Sequence, residues 1–407
     1  MRILLITQYF YPENFKSNDV AIELSKRGHE VTVLTGLPNY PAGKIFDNYR
    51  FFGRNKEKLP GIKIIRTWIV PRGNGGAVRL FLNYFSWAFF ASFRIFFLAL
   101  SSSFDSVIVH APSPVTQFVP AIIIKKIQRI PIYFWILDLW PESLTSAGGI
   151  KNKFILDFFT EIVKYFYRVS DKILISSQSF KSSIIDKGDF EDKLIYFPNW
   201  AEDTISKGSN NYPIPKLPNG FNILFAGNLG VAQDLESVVN CAVKLKEYKN
   251  IHFIILGDGR MKKTLEKSII KNNVINNVHL MGKYPIEAMK TFFHSADSLL
   301  ITLKNEEALN KTVPAKLQAY MSSGRPILGM LSGEGNQTIK ESKGGFTANA
   351  GEYENLAKLI LKLTKLTQNQ RDVLGNNSLK FYQDNFELKK CIDDLEIIIR
   401  ANIVQQT

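Results

Sequence analysis

The chain has 407 residues, 45% of them apolar, which is too long for one common domain and sufficient for two domains with hydrophobic cores. Its two cysteines, Cys241 and Cys391, exclude a disulfide framework and have no metal-ligand spacing, which indicates a reducing, cytoplasmic compartment. The net charge is +14, and the absence of a zinc finger, an RNA-recognition signature or a dense Lys/Arg run favours an anionic membrane surface or phosphate-bearing substrates over nucleic acid.

The first residues predict a βαβ unit. RILLIT at residues 2–7 is a short apolar run typical of a buried parallel strand, and it has no small-residue cleavage site of a signal peptide. A polar loop over 9–19, a helix over 21–30 and a second strand over 31–36 follow. The loop is not a G-x-G-x-x-G motif, so a nicotinamide or flavin fingerprint is absent.

The stretch from Val78 to Leu100 is the most apolar part of the chain, and it follows a strand predicted over 62–70. Its length would span a bilayer, but a charge such as Arg94 inside a spanning helix is costly, so we predict an amphipathic helix instead. Its polar residues are expected on one side of that helix: Arg79, Asn83, Ser86 and Arg94.

Two roles compete for the apolar face of this helix. It covers the sheet, or part of it enters a membrane interface beside basic residues. The density of aromatic side chains between residues 81 and 97 exceeds what core packing usually needs, which favours the interface. The residues expected to face the membrane are Arg79, Phe81, Phe85, Trp87, Phe89, Arg94 and Phe97.

Polar side chains follow several predicted strands of the first half. Open α/β sheets bind ligands at the carboxyl ends of their strands, so these residues are candidates for a cleft. A lone histidine such as His110 is more often structural than catalytic. Asp138 directly follows the strand 131–137, and its alternative role is to cap the helix that follows it. A long helix is predicted over 154–168. The candidates are Asn14, Lys16, Asn39, Tyr40, His110, Asp138 and Glu142.

The second half repeats this alternation of strands and helices after a polar stretch, residues 201–220, which reads as an interdomain linker. The predicted fold class is α/β, with two doubly wound, Rossmann-like domains whose carboxyl edges face a cleft. We assign residues 1–200 to the first domain and residues 201–385 to the second. The last helix, in residues 386–407, is expected to return to the first domain.

Glycine-rich loops of the second half predict a nucleotide-diphosphate site. Glycines let backbone N–H groups approach a pyrophosphate, and Arg260 and Lys316 would neutralise it. Gln318 lies early in a helix that Pro314 begins and Gly324 ends, where it can bond vicinal hydroxyls. The chain has no Asp-x-Asp triplet, so a metal-bridged diphosphate is not indicated. The loop residues of this site are Gly227, Asn228, Gly257, Gly259, Lys283 and Tyr284.

The motifs FAGNLG, GDGR and VPAKLQAYMSSGRPI resemble those of the family 4 retaining glycosyltransferases of the GT-B fold, and the resemblance extends over nearly the whole chain. The segments YFYPEN, KRGHEVTVLTGLPNYP, DLWPES and FPNWAED are similar to the bacterial branch that adds N-acetylfucosamine-type or related sugars in O-antigen and capsule assembly.

The resemblance implies a UDP-sugar donor in the second domain and an undecaprenyl-diphosphate-linked acceptor at the membrane face of the first. It implies a peripheral location on the inner face of the cytoplasmic membrane, with no cofactor. Transfer would be retaining and metal-independent, without a covalent intermediate. A diphosphate oxygen would take the acceptor proton, Arg260 and Lys316 would stabilise the leaving diphosphate, and Asp138 would orient the acceptor or assist as base.

The chain departs from the family pattern at three places. The family has a Glu-x7-Glu pair where this sequence has Asn310 and Gln318, so Glu306 or Glu307 is a candidate substitute for the donor-sugar contact. The Gly-Gly of the family's first loop is replaced by residues 14–16. The second basic residue of the family, just after the FAGNLG loop, is missing here, and Lys316 is the candidate to compensate for it.

Two alternatives remain open on the sequence. A sugar-nucleotide 2-epimerase uses the same fold, but the first domain has no matching set of carboxylates and histidines. A non-catalytic binding or scaffold subunit would explain the changes at Asn310 and Gln318.

Overall fold

The computed structural model describes residues 1–50, 59–146, 149–208 and 211–404. The chain forms two compact units. The first consists of Met1–Pro198 together with Cys391–Thr407, and the second consists of Asn199–Lys390.

The first unit is built on a parallel sheet whose seven described strands have the order β3-β2-β1-β4-β5-β6-β7. The order reverses beside β1, so the carboxyl ends of β1 and β4 flank the point where loops diverge to the two halves of the sheet. The elements are β1 (Arg2–Ile6), α1 (Lys16–Lys26), β2 (Glu30–Gly36), β3 (Ile62–Thr67), α2 (Ala77–Ser101), β4 (Ser106–Ala111), α3 (Val119–Gln128), β5 (Ile132–Ile136), α4 (Glu142–Ser146), α5 (Lys153–Val169), β6 (Lys172–Ile175), α6 (Phe180–Ile185) and β7 (Leu194–Tyr196).

The central strands explain why this sheet forms. Every residue of β4 and β5 is buried, as expected for parallel strands that helices cover on both faces. The predicted strands of the first half are present, but α1 begins at Lys16 rather than at residue 21. The loop before it is therefore shorter than predicted. The residues between Lys16 and residue 21 join the helix because Ser17 and Val20 are buried against the core.

Helix α2 buries one face, with Trp87, Ala91, Ile95 and Leu98 packed against the sheet. Trp87 was expected to face a membrane, and this prediction is wrong, since its side chain is fully buried. By length and composition alone α2 would be able to cross a membrane, and 33% of its most apolar window is buried within the protein.

The polar residues of α2 lie on one side of the helix by their spacing, as predicted, but they differ in exposure. Asn83 is fully buried, where it accepts a 2.7 Å bond from the Gln8 side chain and donates a 2.6 Å bond to the Val70 carbonyl. Arg79 and Arg94 are exposed. Asn83 can be buried because it finds polar partners inside the unit, which removes the cost of burying its amide.

The second unit has a parallel sheet whose six described strands have the order β10-β9-β8-β11-β12-β13. Its elements are α7 (Asp203–Ser206), β8 (Phe221–Ala226), α8 (Leu235–Lys244), β9 (Ile251–Leu256), α9 (Lys262–Lys271), β10 (Val278–Gly282), α10 (Ile286–Ser295), β11 (Ser298–Thr302), α11 (Glu307–Asn310), α12 (Ala315–Ser322), β12 (Ile327–Met330), α13 (Glu334–Ser342), β13 (Gly345–Ala348), α14 (Tyr353–Thr364), α15 (Gln368–Asn385) and α16 (Leu388–Val404), which continues into the first unit.

The stretch predicted as a linker is partly structured. It contains α7, which packs on α10 and α12 of the second unit, and it begins with the buried residue Ala201. Residues 209–210 of this stretch lie outside the described part of the chain.

Candidate functional site

The glycine loops after β8 and β9 lie against each other in the second unit. A Cβ atom on Gly257, where φ is +141°, would lie 1.8 Å from the Gly227 carbonyl oxygen, so only glycine fits there. The Leu229 N–H donates a 2.9 Å bond to the Asp258 carbonyl, which holds the two loops together. These contacts hold both loops together at the carboxyl edge of the sheet, where open α/β sheets bind ligands.

A pocket of about 370 Å³ lies on these loops. Five of the residues predicted for donor binding line it, and Tyr284 is fixed by an edge contact with Phe292 whose ring centroids are 4.7 Å apart. The lining residues are Gly227, Asn228, Leu256, Gly257, Asp258, Lys283, Tyr284 and Met289.

Lys316 presents its ammonium group to the same loops from the first turn of α12. Its Nζ lies 3.1 Å from the position that a Cβ on Gly227 would take. The described contacts of the amine are the Gln233 side-chain oxygen and the face of the Phe225 ring. Burial lowers the pKa of Lys316 to about 7. An anion on the glycine loops would supply the charge partner that these contacts do not provide.

The other predicted donor residues are not among those that line this pocket. Arg260 is exposed on the loop after β9, and Gly259 is tightly packed, because a Cβ there would lie 2.6 Å from the Leu229 carbonyl oxygen. Glu307 is 81% exposed and pairs with Lys311 at 2.6 Å.

The two positions of the altered Glu-x7-Glu pair are also outside the pocket lining. Asn310 donates a 2.8 Å bond to the Asn305 side chain. Gln318 is buried, and its amide nitrogen, oriented to donate, lies 3.0 Å from the Pro314 and Ala315 carbonyl oxygens of its own helix.

A second pocket, of about 440 Å³, lies at the carboxyl edge of the sheet in the first unit. The sequence predicted two of its residues, Tyr40 and Asp138. It missed the aromatic rings of Tyr9, Phe15, Tyr84 and Trp140, together with Arg72. The lining is Tyr9, Phe15, Tyr40, Arg72, Leu80, Tyr84, Pro112, Ser113, Asp138, Trp140, Ser143 and Leu144.

Asp138 lies in this pocket, two residues after the end of β5 and at the edge of the sheet that the sequence predicted. Burial raises the pKa of its carboxyl group to about 6, although Ser143, Ser113 and the Leu139 N–H favour the ionised form. A carboxyl group with this pKa is partly protonated in mildly acidic solution and ionised above it, which suits a group that orients a hydroxyl or accepts its proton.

A buried carboxylate that the sequence analysis missed shapes this edge. Glu13 accepts backbone N–H bonds from Phe10 at 3.3 Å, from Asn39 at 2.8 Å and from Tyr40 at 2.7 Å. Burial raises the pKa of Glu13 to about 7 despite these bonds. The carboxylate thus fixes the loop that presents Tyr40 to the pocket. Asn39 itself is buried and accepts a 3.1 Å bond from the Arg72 N–H.

The remaining predicted cleft residues do not line the pocket. Asn14 is exposed and Lys16 is half-buried at the start of α1. Glu142 pairs with Lys187 at 2.5 Å. His110 is fully buried beside Trp135, and its Nδ1 lies 3.1 Å from the Thr7 hydroxyl. Burial lowers the pKa of His110 to about 3, so it is neutral and structural here.

No group of three His, Cys, Asp or Glu side chains placed to hold a metal ion occurs among the described residues.

Comparison with known proteins gives matches in both halves of the chain. The model of glycosyltransferase family 4 matches residues 18–203, and that of the glycosyl transferases group 1 matches residues 220–365. The putative colanic acid biosynthesis glycosyl transferase WcaI of Escherichia coli K12 is 24% identical over 320 residues, which cover 74% of this chain and 75% of WcaI.

Two solved structures have similar folds. Anabaena HepE in complex with UDP aligns with a TM-score of 0.71 at 14% identity, covering 98% of this chain and 100% of HepE. WaaG, a glycosyltransferase involved in lipopolysaccharide biosynthesis, aligns with a TM-score of 0.63 at 14% identity, covering 98% of this chain and 99% of WaaG.

Proposed function

The chain carries glycosyltransferase family 4 and group 1 domains on a GT-B fold, and from this premise we propose that it transfers a sugar from a UDP-sugar to an undecaprenyl-diphosphate-linked saccharide. The sugar is of the N-acetylfucosamine type or another N-acetylhexosamine, and the product enters O-antigen or capsule polysaccharide. The names of WcaI and WaaG, which concern colanic acid and lipopolysaccharide, support this setting.

The pocket on the glycine loops is the observation that supports binding of the UDP-sugar donor. Gly227 and Gly257 expose backbone at its floor, and Lys316 holds an amine beside Gly227 without a carboxylate partner among its described contacts. This is the environment that a diphosphate needs, since backbone N–H groups and one cation neutralise its charge. The complex of HepE with UDP supports a uridine nucleotide as the occupant.

The reaction proposed is retaining and needs no metal. The acceptor oxygen forms a bond to the anomeric carbon while the bond from that carbon to the diphosphate oxygen breaks, and UDP leaves with the bonding electrons. The acceptor proton passes to a diphosphate oxygen, with Asp138 orienting the hydroxyl or assisting as base. Lys316 and Arg260 stabilise the negative charge that develops on the diphosphate.

For binding of a lipid-linked acceptor, we propose that the first unit lies on the inner face of the cytoplasmic membrane. The outer face of α2 exposes a continuous row of apolar side chains, including Phe89 at 68% and Phe93 at 64% exposed, and Arg79 and Arg94 are exposed along the same helix. Exposed apolar patches of this size mark interaction surfaces, and basic neighbours favour an anionic lipid surface.

The proposal is tested by thermal shift of the full chain with UDP, GDP and dTDP, followed by donor hydrolysis and transfer assays with lipid-extract acceptors. We expect a shift that is selective for UDP, lost in Lys316→Met and retained in Asp138→Asn, and we expect Asp138→Asn to lose transfer. Lys126→Gln, which removes an exposed charge of α3 at a residue that lines neither pocket, is the matched control and should behave as wild type.

Two results would contradict the proposal. If no nucleotide shifts the melting temperature, the transferase function fails. If UDP binds but neither hydrolysis nor transfer occurs with any acceptor, the chain is a binding subunit, the alternative that the changes at Asn310 and Gln318 favour.

A further inference from the structure

The pocket of the first unit combines aromatic walls with a single guanidinium group. Tyr9 and Phe15 stack with their ring centroids 5.0 Å apart, and Tyr40 lies 5.5 Å from Phe15. Faces of aromatic rings are favourable contacts for the C–H faces of sugars because both surfaces are apolar and flat. Arg72 is the one arginine or lysine among the residues that line this pocket in the described part of the chain.

Arg72 is held in place by neutral groups. Its backbone N–H donates a 3.1 Å bond to the Asn39 side chain, and its Nη1 donates a 2.8 Å bond to the Tyr9 hydroxyl. Its guanidinium carbon lies 5.2 Å from the centroid of the Tyr40 ring and 5.9 Å from that of Tyr84. These contacts orient the charge but do not neutralise it, and no carboxylate of the described residues forms an ion pair with it.

The pocket is continuous with the apolar surface of α2. Leu80 and Tyr84 line the pocket from the first turns of this helix. Their sequence neighbours Phe81 and Phe85 are 57% and 41% exposed. The first turns of α2 therefore contribute both to the aromatic pocket that holds Arg72 and to the exposed apolar row.

We propose that Arg72 binds the phosphate of the acceptor, so that the acceptor is a saccharide whose anionic phosphate lies within about one or two sugar units of the reacting hydroxyl. This inference rests on the proposed transfer to a lipid-linked saccharide and names the part of that acceptor which the pocket recognises. The saccharide contacts the aromatic walls near Asp138, the phosphate meets Arg72 and the lipid chain leaves along the exposed row of α2.

The size of the pocket sets the place of the reaction in a sequence of transfers. At about 440 Å³ it is near the lower end of the range of about 300–1,000 Å³ for small-molecule sites. It holds Arg72 and Asp138 together, so a long glycan between phosphate and acceptor hydroxyl does not fit both groups at once. The substrate is therefore supplied by a reaction that places a sugar phosphate on a lipid phosphate, or by one transfer after it.

Binding of three short-chain probes with the same carbon skeleton tests the inference: geranyl diphosphate, geranic acid and geraniol. Isothermal titration is done on the full chain with saturating UDP, because UDP occupies the other candidate anion site, at Lys316. We expect geranyl diphosphate to bind at least about 10-fold more tightly than geraniol and geranic acid, the size expected of a charge-assisted contact. Arg72→Gln should remove this difference, and Arg72→Lys should restore part of it.

Matched readouts separate this role from a purely structural one. Geraniol affinity and the UDP-induced thermal shift should be unchanged in Arg72→Gln, and Lys126→Gln should bind all probes as wild type does. The inference is overturned if geraniol binds as tightly as geranyl diphosphate, if Arg72→Gln still prefers the diphosphate, or if Arg72→Gln weakens the binding of all three probes equally.

If geranic acid binds as tightly as geranyl diphosphate, the inference of a phosphate is also wrong, and the pocket is assigned to a carboxylate-bearing sugar instead. In each of these cases an intact UDP shift leaves the donor half of the proposed function standing, whereas loss of the UDP shift in wild type would contradict the proposed function itself.

Discussion

The Nζ atom of Lys316 lies 4.1 Å from the centre of the Phe225 ring. The ring face attracts the ammonium ion, but it does not replace water or a carboxylate, and burial lowers the pKa of Lys316 to about 7. The amine is thus near half protonation in neutral solution, beside the glycine loops where the donor diphosphate is proposed to bind.

We predict that donor binding takes up a proton at Lys316. A bound diphosphate favours the ammonium form, so affinity should be highest below about pH 7 and should fall by up to about 10-fold per pH unit above it. UDP-glucose is the suitable ligand, because the terminal phosphate of UDP itself titrates near pH 6. Titration calorimetry at several pH values, in buffers that differ in ionisation enthalpy, measures both the affinity and the proton uptake.

Lys316→Met is the control for this pH dependence. It should bind UDP-glucose about 10- to 100-fold more weakly than wild type at pH 6, with no dependence on pH. Stability provides an independent check. The folded pKa of about 7 lies below the ordinary value of 10.5, so the unfolded chain binds more protons between these limits. Wild type should therefore gain stability relative to Lys316→Met as pH rises through this window. A pH-independent affinity in wild type would refute the assignment.

Glu13 gives a second prediction, on the loop that presents Tyr40. Glu13→Ala leaves three buried N–H groups without their acceptor and should destabilise the first unit by about 2–4 kcal/mol. Glu13→Gln keeps an oxygen for Asn39 and Tyr40 and should cost no more than about 1 kcal/mol at pH 5. Urea unfolding followed by tryptophan fluorescence is a suitable measurement, since four of the five tryptophans lie in the first unit.

The dependence on pH has a definite sign. The folded pKa of Glu13, about 7, exceeds its ordinary value of 4.5, so the folded state binds more protons between these limits. The contribution of Glu13 to stability is therefore full below about pH 4.5 and is lost as pH rises through about 7. As pH rises across this range, the unfolding free energy of Glu13→Gln should increase relative to that of wild type by up to about 1.4 kcal/mol per pH unit. If the unfolding free energies of wild type and Glu13→Gln depend on pH in the same way, burial does not raise the pKa of Glu13 and this prediction is wrong.

The sequence predicted the alternation of strands and helices and the glycine loops because these depend on local patterns. Apolar runs such as β4 and β5 cannot be placed outside a covered sheet, and Gly257 is required by a close backbone contact. Sequence reasoning also placed Asp138 correctly in a pocket, since a residue directly after a buried parallel strand lies at the ligand-binding edge.

The features that the sequence analysis missed depend on contacts between residues that are distant in the sequence. Arg72 and Glu13 act through partners that come from other loops, and no spacing rule identifies those partners. The burial of Trp87 and Asn83 depends on which side of α2 meets the sheet, and a helix that is apolar on most of its surface does not reveal this. His110 was expected at the same edge as Asp138, but it lies within β4, one residue before the strand ends at Ala111, whereas Asp138 lies in the loop after β5.

A third prediction concerns the C-terminal helix within the first unit. Arg27 donates to Glu396 at 2.6 Å and to Asp393 at 2.5 Å, and His29 lies 2.6 Å from Glu396. Glu396→Ala should destabilise the first unit by about 2–3 kcal/mol, because it removes the acceptor that the Arg27 guanidinium and the buried His29 ring share. Asp393→Ala is the matched control, since Asp393 is 62% exposed and should contribute less than about 1 kcal/mol.

The Glu396 contribution should also depend on pH. Burial alone would raise the pKa of Glu396, but the bonds from Arg27 and His29 outweigh it, and the net pKa is lowered. Its stabilisation is therefore present above the ordinary value of 4.5 and is lost as pH falls through the lowered folded pKa. Equal unfolding free energies of Glu396→Ala and Asp393→Ala near neutral pH would exclude this network as a tether of α16.

The last prediction separates the two faces of α2. Replacing Phe85, Phe89 and Phe93 together by serine should weaken binding to phosphatidylglycerol-containing vesicles by at least about 100-fold, at about 1 kcal/mol for each ring removed from the lipid interface. The unfolding free energy should change little, because all three side chains are exposed. Trp87→Ala should do the opposite. It should lose about 3–5 kcal/mol of stability, because Trp87 fills the core, but the molecules that remain folded should bind vesicles as wild type does.

Vesicle sedimentation at low and high salt measures the binding, and a decrease in binding with salt would reflect the basic residues beside the exposed row. If the triple serine variant sediments with vesicles as wild type does, the exposed row of α2 is not the membrane contact, and another surface must hold the acceptor lipid.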